Sequence, residues 1–196
     1  MALVGILLAA GKGRRFDPSG ARNKLLQALP GGAMVVEASA RALLAALPKV
    51  SAVVGPDDTG VAAQLEALGC EVTVCPDADT GMGASLAHAI SHSLPDADAW
   101  LVALGDMPHL RPSTHAALAA AIAGGAGIAV PVTEGRRGNP VAFGRLHLAA
   151  LLALAGDEGA RRIVKSAPVT EVEVGDPGIF GDVDTPADLL IRPDSG

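Results

Sequence analysis

The chain has 196 residues, 49% of them hydrophobic, and a formal net charge of −6, enough apolar material for one domain with a sizeable core. Three Phe, one Trp and no Tyr leave no stacking surface for bases, and the negative charge opposes polyanions, so no nucleic-acid partner is expected. No apolar stretch reaches membrane-spanning length, and no basic and apolar leader follows Met1, so the expectation is a cytoplasmic protein with no membrane contact. Cys70 and Cys75 suit neither a disulfide framework nor a zinc knuckle, and read as packing thiols.

Ile6, Leu7 and Leu8 read as a short buried strand. It opens into a glycine-rich basic loop up to Lys24, in which Lys12, Arg14, Arg15, Arg22 and Lys24 face only Asp17. Gly11 and Gly13 let the backbone turn sharply and leave its amides open to an anion. Residues 34–47 are rich in Ala and Leu without Gly or Pro, which predicts a helix. A strand at 51–54, a helix at 60–68 closed by Gly69, and a strand at 71–75 stopped by Pro76 follow. Asp79–Gly83 forms a second glycine-bearing turn, from which 85–93 continues as a helix. Residues 100–104 are a continuous apolar strand running into Gly105 and Asp106. Beyond it lie a helix from Pro112 to Gly124, a strand at 127–131, a polar turn at 134–140 and its return strand at 141–144. Helical stretches at 146–154 and 159–166, a strand at 169–174 and a short helix from Pro186 complete the reading.

The alternation predicts a single Rossmann-like α/β domain, three layers α/β/α around a mostly parallel sheet. Ligands of such sheets bind beyond the carboxyl ends of the strands. The basic loop, the DTGMG turn and the GDMP turn share that edge and should line one cleft. Asp106, at the end of a buried strand, costs free energy unless something pairs with it. A divalent cation with hard oxygen ligands is the natural partner, and Mg2+ typically takes one or two carboxylates plus phosphates and water. Asp182 and Asp184 lie in a segment that can return to the same edge. Alternatively, Asp106 caps a helix or opens a turn. His88 and His92 are four apart on a predicted helix, but HAISH lacks the neighbouring Glu of a zinc-protease motif, and no metal role is expected. Trp100 reads as core.

The run LLAAGKGRRF followed by NKLL resembles the signature of nucleotidyltransferases with a glycosyltransferase-A-like fold, of nucleotide-diphospho-sugar transferase type. With GMGASL, LGDMPHL, RGNPVAFG, GDEGARRI and DVDTPADL in this order, the chain closely resembles the molybdenum cofactor cytidylyltransferase family over nearly its whole length. The resemblance implies one nucleotidyltransferase domain over 1–196, with a nucleotide-binding half at 1–110 and an acceptor-binding half at 111–190. It implies Mg2+-dependent transfer of CMP from CTP to the phosphate of molybdopterin-bound molybdenum. It also implies handing of the product to the apoenzyme or chaperone of a molybdenum hydroxylase.

By position, the resemblance assigns Leu8, Ala9, Ala10, Gly11 and Gly13 to the nucleotide, Arg15 to the leaving pyrophosphate and Lys24 to the phosphates. Asp106 and Asp184 would hold the metal, with Asp182 as the second choice for the latter. Arg15, Lys24 and Asp106 are thus the catalytic candidates. Gly81, Met82, Gly83 and Ser85 would close the base pocket, with Ser85 able to hydrogen-bond base or ribose. Arg137, Gly138, Asn139 and Pro140, next to Arg136, would face the acceptor phosphate. Related guanylyltransferases have LAGG where this chain has Leu8–Gly11, and the extra methyl of Ala10 favours cytosine over guanine. One departure stands out: seven residues separate Phe16 from Lys24, a longer spacing than usual, so Lys24 has further to reach. The alternatives are another nucleotide or another phosphorylated acceptor, or a non-catalytic module that binds and delivers nucleotide and cofactor.

Overall fold

Leu3–Leu8 forms β1, hydrogen-bonded in parallel on one side to β2 (Val50–Val54) and on the other to β4 (Ala99–Leu104). The computed structural model describes residues 1–191, so the last five positions of the domain expected over 1–196 lie outside the described residues. β3 (Glu71–Val74) extends the sheet beyond β2 in parallel. On the other side, β7 (Val141–Gly144) runs antiparallel between β4 and β5 (Ile128–Thr133), and β5 also pairs with β6 (Arg136–Arg137) and β8 (Thr170–Glu173). The sheet is mostly parallel, with β6 and β7 as its antiparallel members. β5 leaves a gap beside β4, and the hairpin after it folds back to fill that gap.

Strict alternation along β1 builds the two cores. Val4 and Ile6 pack with Leu86 and Ile90 of α3 (Met82–Ser93) and with Leu151 of α5 (Leu148–Leu152). Leu7 packs on the opposite face with Val36 and Leu43 of α1 (Val35–Leu44) and Leu118 of α4 (Pro112–Ala123). Two further helices, α2 (Thr59–Ala67) and α6 (Arg161–Ser166), complete the outer layers. Gly5 lets α1 come close: a Cβ there would stand 3.1 Å from Leu43 Cγ. Trp100 is fully buried and donates its indole N–H to Ser93 Oγ at 2.9 Å, as a core tryptophan requires. Cys70 and Cys75 are free and buried, and burial pushes the Cys70 thiol up to about 11.

Several helices are shorter than the composition predicts. The stretch at 34–47 is helical over Val35–Leu44, and 146–154 divides into a 3-10 turn and the five residues of α5. The Ala- and Leu-rich pattern continues past these ends, but the chain must turn back toward the sheet.

α4 is capped from outside its own segment. The buried Asp176 carboxylate accepts from Arg111 N at 2.9 Å, Thr114 Oγ1 at 2.6 Å and Gly178 N at 2.9 Å. This pins the start of the 176–184 segment, and Val183 N then donates to the Asp106 carbonyl at 2.8 Å. The return segment is thereby held against the end of β4. Among the described residues, no helix is long and apolar enough to cross a membrane.

Candidate active site

The carboxyl ends of β1, β3 and β4, with the β5–β6 hairpin and the return segment, enclose a cleft of ≈ 800 Å³. The basic loop that forms one wall is folded by its own residues. Asp17 accepts from Ser19 N at 2.9 Å, Ser19 Oγ at 2.6 Å and Arg22 N at 2.9 Å, so the residues between Phe16 and Lys24 close into a compact turn. Asn23 then caps a 3-10 turn by accepting from Leu25 N at 2.9 Å. The long spacing is therefore absorbed locally, and Lys24 reaches the centre of the site. Gly13, at φ +57°, lies over the lysine stem, where a Cβ would approach Lys24 Cγ to 3.2 Å.

At the centre, Lys24 Nζ donates to Asp106 Oδ2 at 2.5 Å and to the Val183 carbonyl at 2.9 Å, and stands 3.6 Å from Asp184 Oδ1. Arg15 Nη1 meets the other oxygen of Asp184 at 2.7 Å. The four side chains thus alternate in charge across the cleft. Asp182 adjoins the group: burial, and then the negative charges of Asp184 and Asp106, hold its carboxyl above the usual range. Both residues considered for the second acid are at the site, and Asp184 is the one contacting Arg15 and Lys24.

This donor set fits a hard divalent cation. Asp106 Oδ1 is buried and has no hydrogen-bond partner among the described residues, and the acids beside it, Asp182 and Asp184, offer only oxygens to a metal. No group of three or more His, Cys, Asp or Glu is arranged to hold a metal among the described residues. Asp106, Asp182 and Asp184 are carboxylates of this cleft, of the type that a divalent cation takes together with phosphates and water.

Leu8, Ala10, Gly11, Gly81 and Ser85 line the cleft beside Arg15 and Lys24, with Met82 at its rim. Ala9 does not: alternation turns its methyl into the core on the α1 face, and Val53 O takes its amide at 2.9 Å. Gly83 is likewise spent on packing, its amide donated to Gly156 O at 2.7 Å. Arg137, Gly138 and Asn139 line the far wall, whereas Pro140 is buried behind them. A Cβ on Gly138 would stand 2.5 Å from the Ile179 carbonyl, which also accepts from Asn139 N at 3.0 Å, so this hairpin is clamped to the return segment. The Arg137 guanidinium is tied to Glu171 at 2.6 Å, while that of Arg136 lies over the Phe180 ring, 4.4 Å from its centroid.

The two histidines of α3 make ordinary contacts with β3: His88 Nε2 shares a half-buried hydrogen bond with Thr73 Oγ1, and the exposed His92 Nε2 meets Glu71. Sequence reasoning left Phe180, Asp157 and Arg161 unassigned, although all three line the cleft. For the last two the signal was present in the GDEGARRI block. Phe180 carries none, because a lone aromatic after a turn reads as core.

A family model described as the MobA-like NTP transferase domain matches residues 5–172. The purine catabolism protein PucB of Bacillus subtilis (strain 168) is 31% identical over 200 residues, covering 94% of this chain and 92% of the relative. The crystal structure of Rv0371c from Mycobacterium tuberculosis H37Rv superposes with a TM-score of 0.83 at 28% identity, covering 97% of each chain. A manganese complex of Rv0371c gives 0.79 at 27% identity over 96% of each chain. With the cleft at the carboxyl edge, its glycine-rich basic loop and the acids opposite, the chain belongs to the MobA-like NTP transferase family and is a nucleotidyltransferase of Rossmann-like α/β fold.

Proposed function

We propose that this nucleotidyltransferase transfers CMP from CTP to the phosphate of molybdenum-molybdopterin, giving molybdopterin cytosine dinucleotide and pyrophosphate. The observation that carries the reading is the alternating set Arg15, Asp184, Lys24 and Asp106 between a glycine-rich loop and the Gly138–Asn139 hairpin. Two anionic substrates meeting across such a set require cations on both sides of the reacting phosphorus.

The acceptor phosphate is already an oxyanion, so no protein general base is needed. One of its oxygens forms a bond to the α-phosphorus of CTP. The bond from that phosphorus to the bridging oxygen breaks, and its electron pair leaves on pyrophosphate. Arg15 stabilises the charge that develops on the leaving group, and Lys24 fixes the phosphates relative to Asp106. Asp106 and Asp184 would hold a Mg2+ ion, which supplies further neutralisation of phosphate charge. The methyl of Ala10 narrows the base pocket in favour of cytosine, and Ser85, buried at the start of α3, hydrogen-bonds base or ribose. Residues 1–110 serve the nucleotide and 111–190 the acceptor. The setting is cytoplasmic, and the product passes to the apoenzyme or chaperone of a molybdenum hydroxylase.

The test is pyrophosphate release with each of the four nucleoside triphosphates, with and without molybdenum-loaded pterin. Release with CTP only in the presence of the pterin is expected. Release with GTP, or with a different phosphorylated acceptor, would replace the substrate assignment. Tight binding of CTP and pterin without release would make the protein a delivery module instead.

A further inference from the structure

The run Gly156–Ile163 (GDEGARRI) has no task in the reading above, yet its loop forms part of the same cleft. It is mounted there by backbone packing. Gly83 N donates to Gly156 O at 2.7 Å, and a Cβ on Gly81 would lie 2.3 Å from the Gly156 carbonyl carbon. Gly81 sits at φ +135°, a conformation side chains rarely adopt, so the turn after β3 and this loop meet with no side chain between them.

The two arginines at the end of the run are used differently. Arg162 is neutralised by Glu158 at 3.0 Å. Arg161 lines the cleft and has no carboxylate within ion-pair distance among the described residues. The same accounting separates the other cations of the cleft. Lys12 pairs with Asp79, Arg15 with Asp184, Lys24 with Asp106 and Arg137 with Glu171. Arg14, Arg136 and Arg161 have no carboxylate partner among the described residues. Arg14 belongs to the glycine-rich loop on the triphosphate side. Arg136, fixed over Phe180, and Arg161 come from elements carboxyl-terminal to β4. An arginine without a counter-ion offers its planar fork to phosphate oxygens, and two of them can divide the charge of one phosphate.

We propose that Arg161, together with Arg136, holds the phosphate of the acceptor, which makes the 156–161 loop an acceptor-binding element; this rests on the two-anion transfer proposed above. The loop and the turn that closes the nucleotide pocket then share one mounting, so each substrate is held by a wall that touches the other.

The variants are Arg161→Gln, Arg161→Lys and, as a control on the neighbouring ion pair, Arg162→Gln. Pyrophosphate release is measured against acceptor and CTP concentration, and CTP binding by calorimetry with Mn2+ and no acceptor. Arg161→Gln should raise the acceptor KM by about tenfold or more, the worth of a charge-assisted contact, with CTP affinity unchanged. Arg161→Lys should recover part of the loss, and Arg162→Gln should behave as wild type. An unchanged acceptor KM, or a loss of CTP affinity by the same factor, would overturn the assignment. If wild type releases no pyrophosphate with the pterin, the transfer reading has failed. Equilibrium dialysis of the pterin phosphate then decides on Arg161: weaker retention by Arg161→Gln than by wild type supports it, and equal or absent retention by both overturns it.

Discussion

Lys24 and Asp106, 82 residues apart, meet in an ion pair of 2.5 Å, with the Val183 carbonyl accepting a second hydrogen bond from the same ammonium at 2.9 Å. The lysine side chain is 9% exposed and that of Asp106 20%, so neither charge is left to bulk water. The ammonium has three oxygen neighbours, and Arg15 is drawn to one of the same acids, Asp184. The cations read from the sequence as phosphate ligands are thus held in place by the carboxylates read as metal ligands. In the proposed reaction they must divide their attention between those acids and the incoming phosphates.

Removing the Asp106 charge should therefore affect both catalysis and folding. We expect Asp106→Asn to lower pyrophosphate release by about 100-fold or more, as loss of a charge contact at a reacting phosphate does. Left with weaker partners, the Lys24 ammonium should cost roughly 1–3 kcal/mol of stability, visible as a lower Tm. Lys24→Met in the same background should cost less than in wild type, because the two changes remove one interaction. Near-normal activity of Asp106→Asn with Mg2+ present would refute the metal role of this carboxylate.

Removal of divalent metal by chelation should stop turnover, and either Mg2+ or Mn2+ should restore it. Asp184→Asn should raise the metal concentration needed by about tenfold, since a carboxylate is exchanged for a neutral oxygen donor. Mn2+ titration followed by electron paramagnetic resonance, with CTP present, measures this without relying on activity. An unchanged Mn2+ affinity would shift the assignment to Asp182.

Arg15 is largely exposed apart from its contact with Asp184, so its loss should leave stability within about 0.5 kcal/mol. Its effect belongs to the triphosphate. Arg15→Ala should raise the KM for the nucleotide by about tenfold or more while leaving the KM for the acceptor unchanged. Steady-state kinetics with each substrate varied in turn separates the two outcomes, and a selective effect on the acceptor would contradict the proposed role.

His115 of α4 supplies a pH dependence remote from the site. It is 1% exposed, neither ring nitrogen has a hydrogen-bond partner among the described residues, and burial pushes its pKa down to about 4. The Arg111 backbone and then the nearby Asp176 charge oppose this only in part. Between about pH 6.5 and 4 the unfolded chain takes up a proton that the folded chain refuses, so acid favours unfolding. Its contribution is present in full above pH 6.5 and falls away below, by up to about 3 kcal/mol. Chemical denaturation from pH 4 to 7 should show a shallower acid limb for His115→Leu than for wild type. Parallel limbs would mean that the histidine is protonated in the fold.

Much of the fold was legible in the chain because its causes are local. The apolar runs at β1 and β4, the glycines after β1 and the proline after β3 mark element ends through backbone preference and burial alone. Asp106 could be singled out for the same reason: a carboxylate directly after a buried strand needs a partner, whatever that partner is. The GDEGARRI block was likewise visible as a motif, though without a task.

The choice of partners belonged to the tertiary structure. β7 enters the sheet between β4 and β5, which no periodicity encodes, because the period of a strand is the same in either direction. Ala9 and Ala10 are adjacent and identical in type, yet the pleat gives one to the core and the other to the cleft. Lys24 meets Asp106 because Asp17 folds the loop before it through local contacts, while Asp176, tied to Arg111 and Thr114 more than 60 residues away, pins the return segment. Arg137 and Glu171, on different strands, pair as well, whereas Arg161 has no carboxylate partner among the described residues. The sequence by itself determined the elements, the edge at which ligands bind and the charge types gathered there. Only the folded chain decided how the cleft cations Arg15, Lys24 and Arg137 are paired, since their carboxylates come from segments far away in the chain, which no local pattern carries.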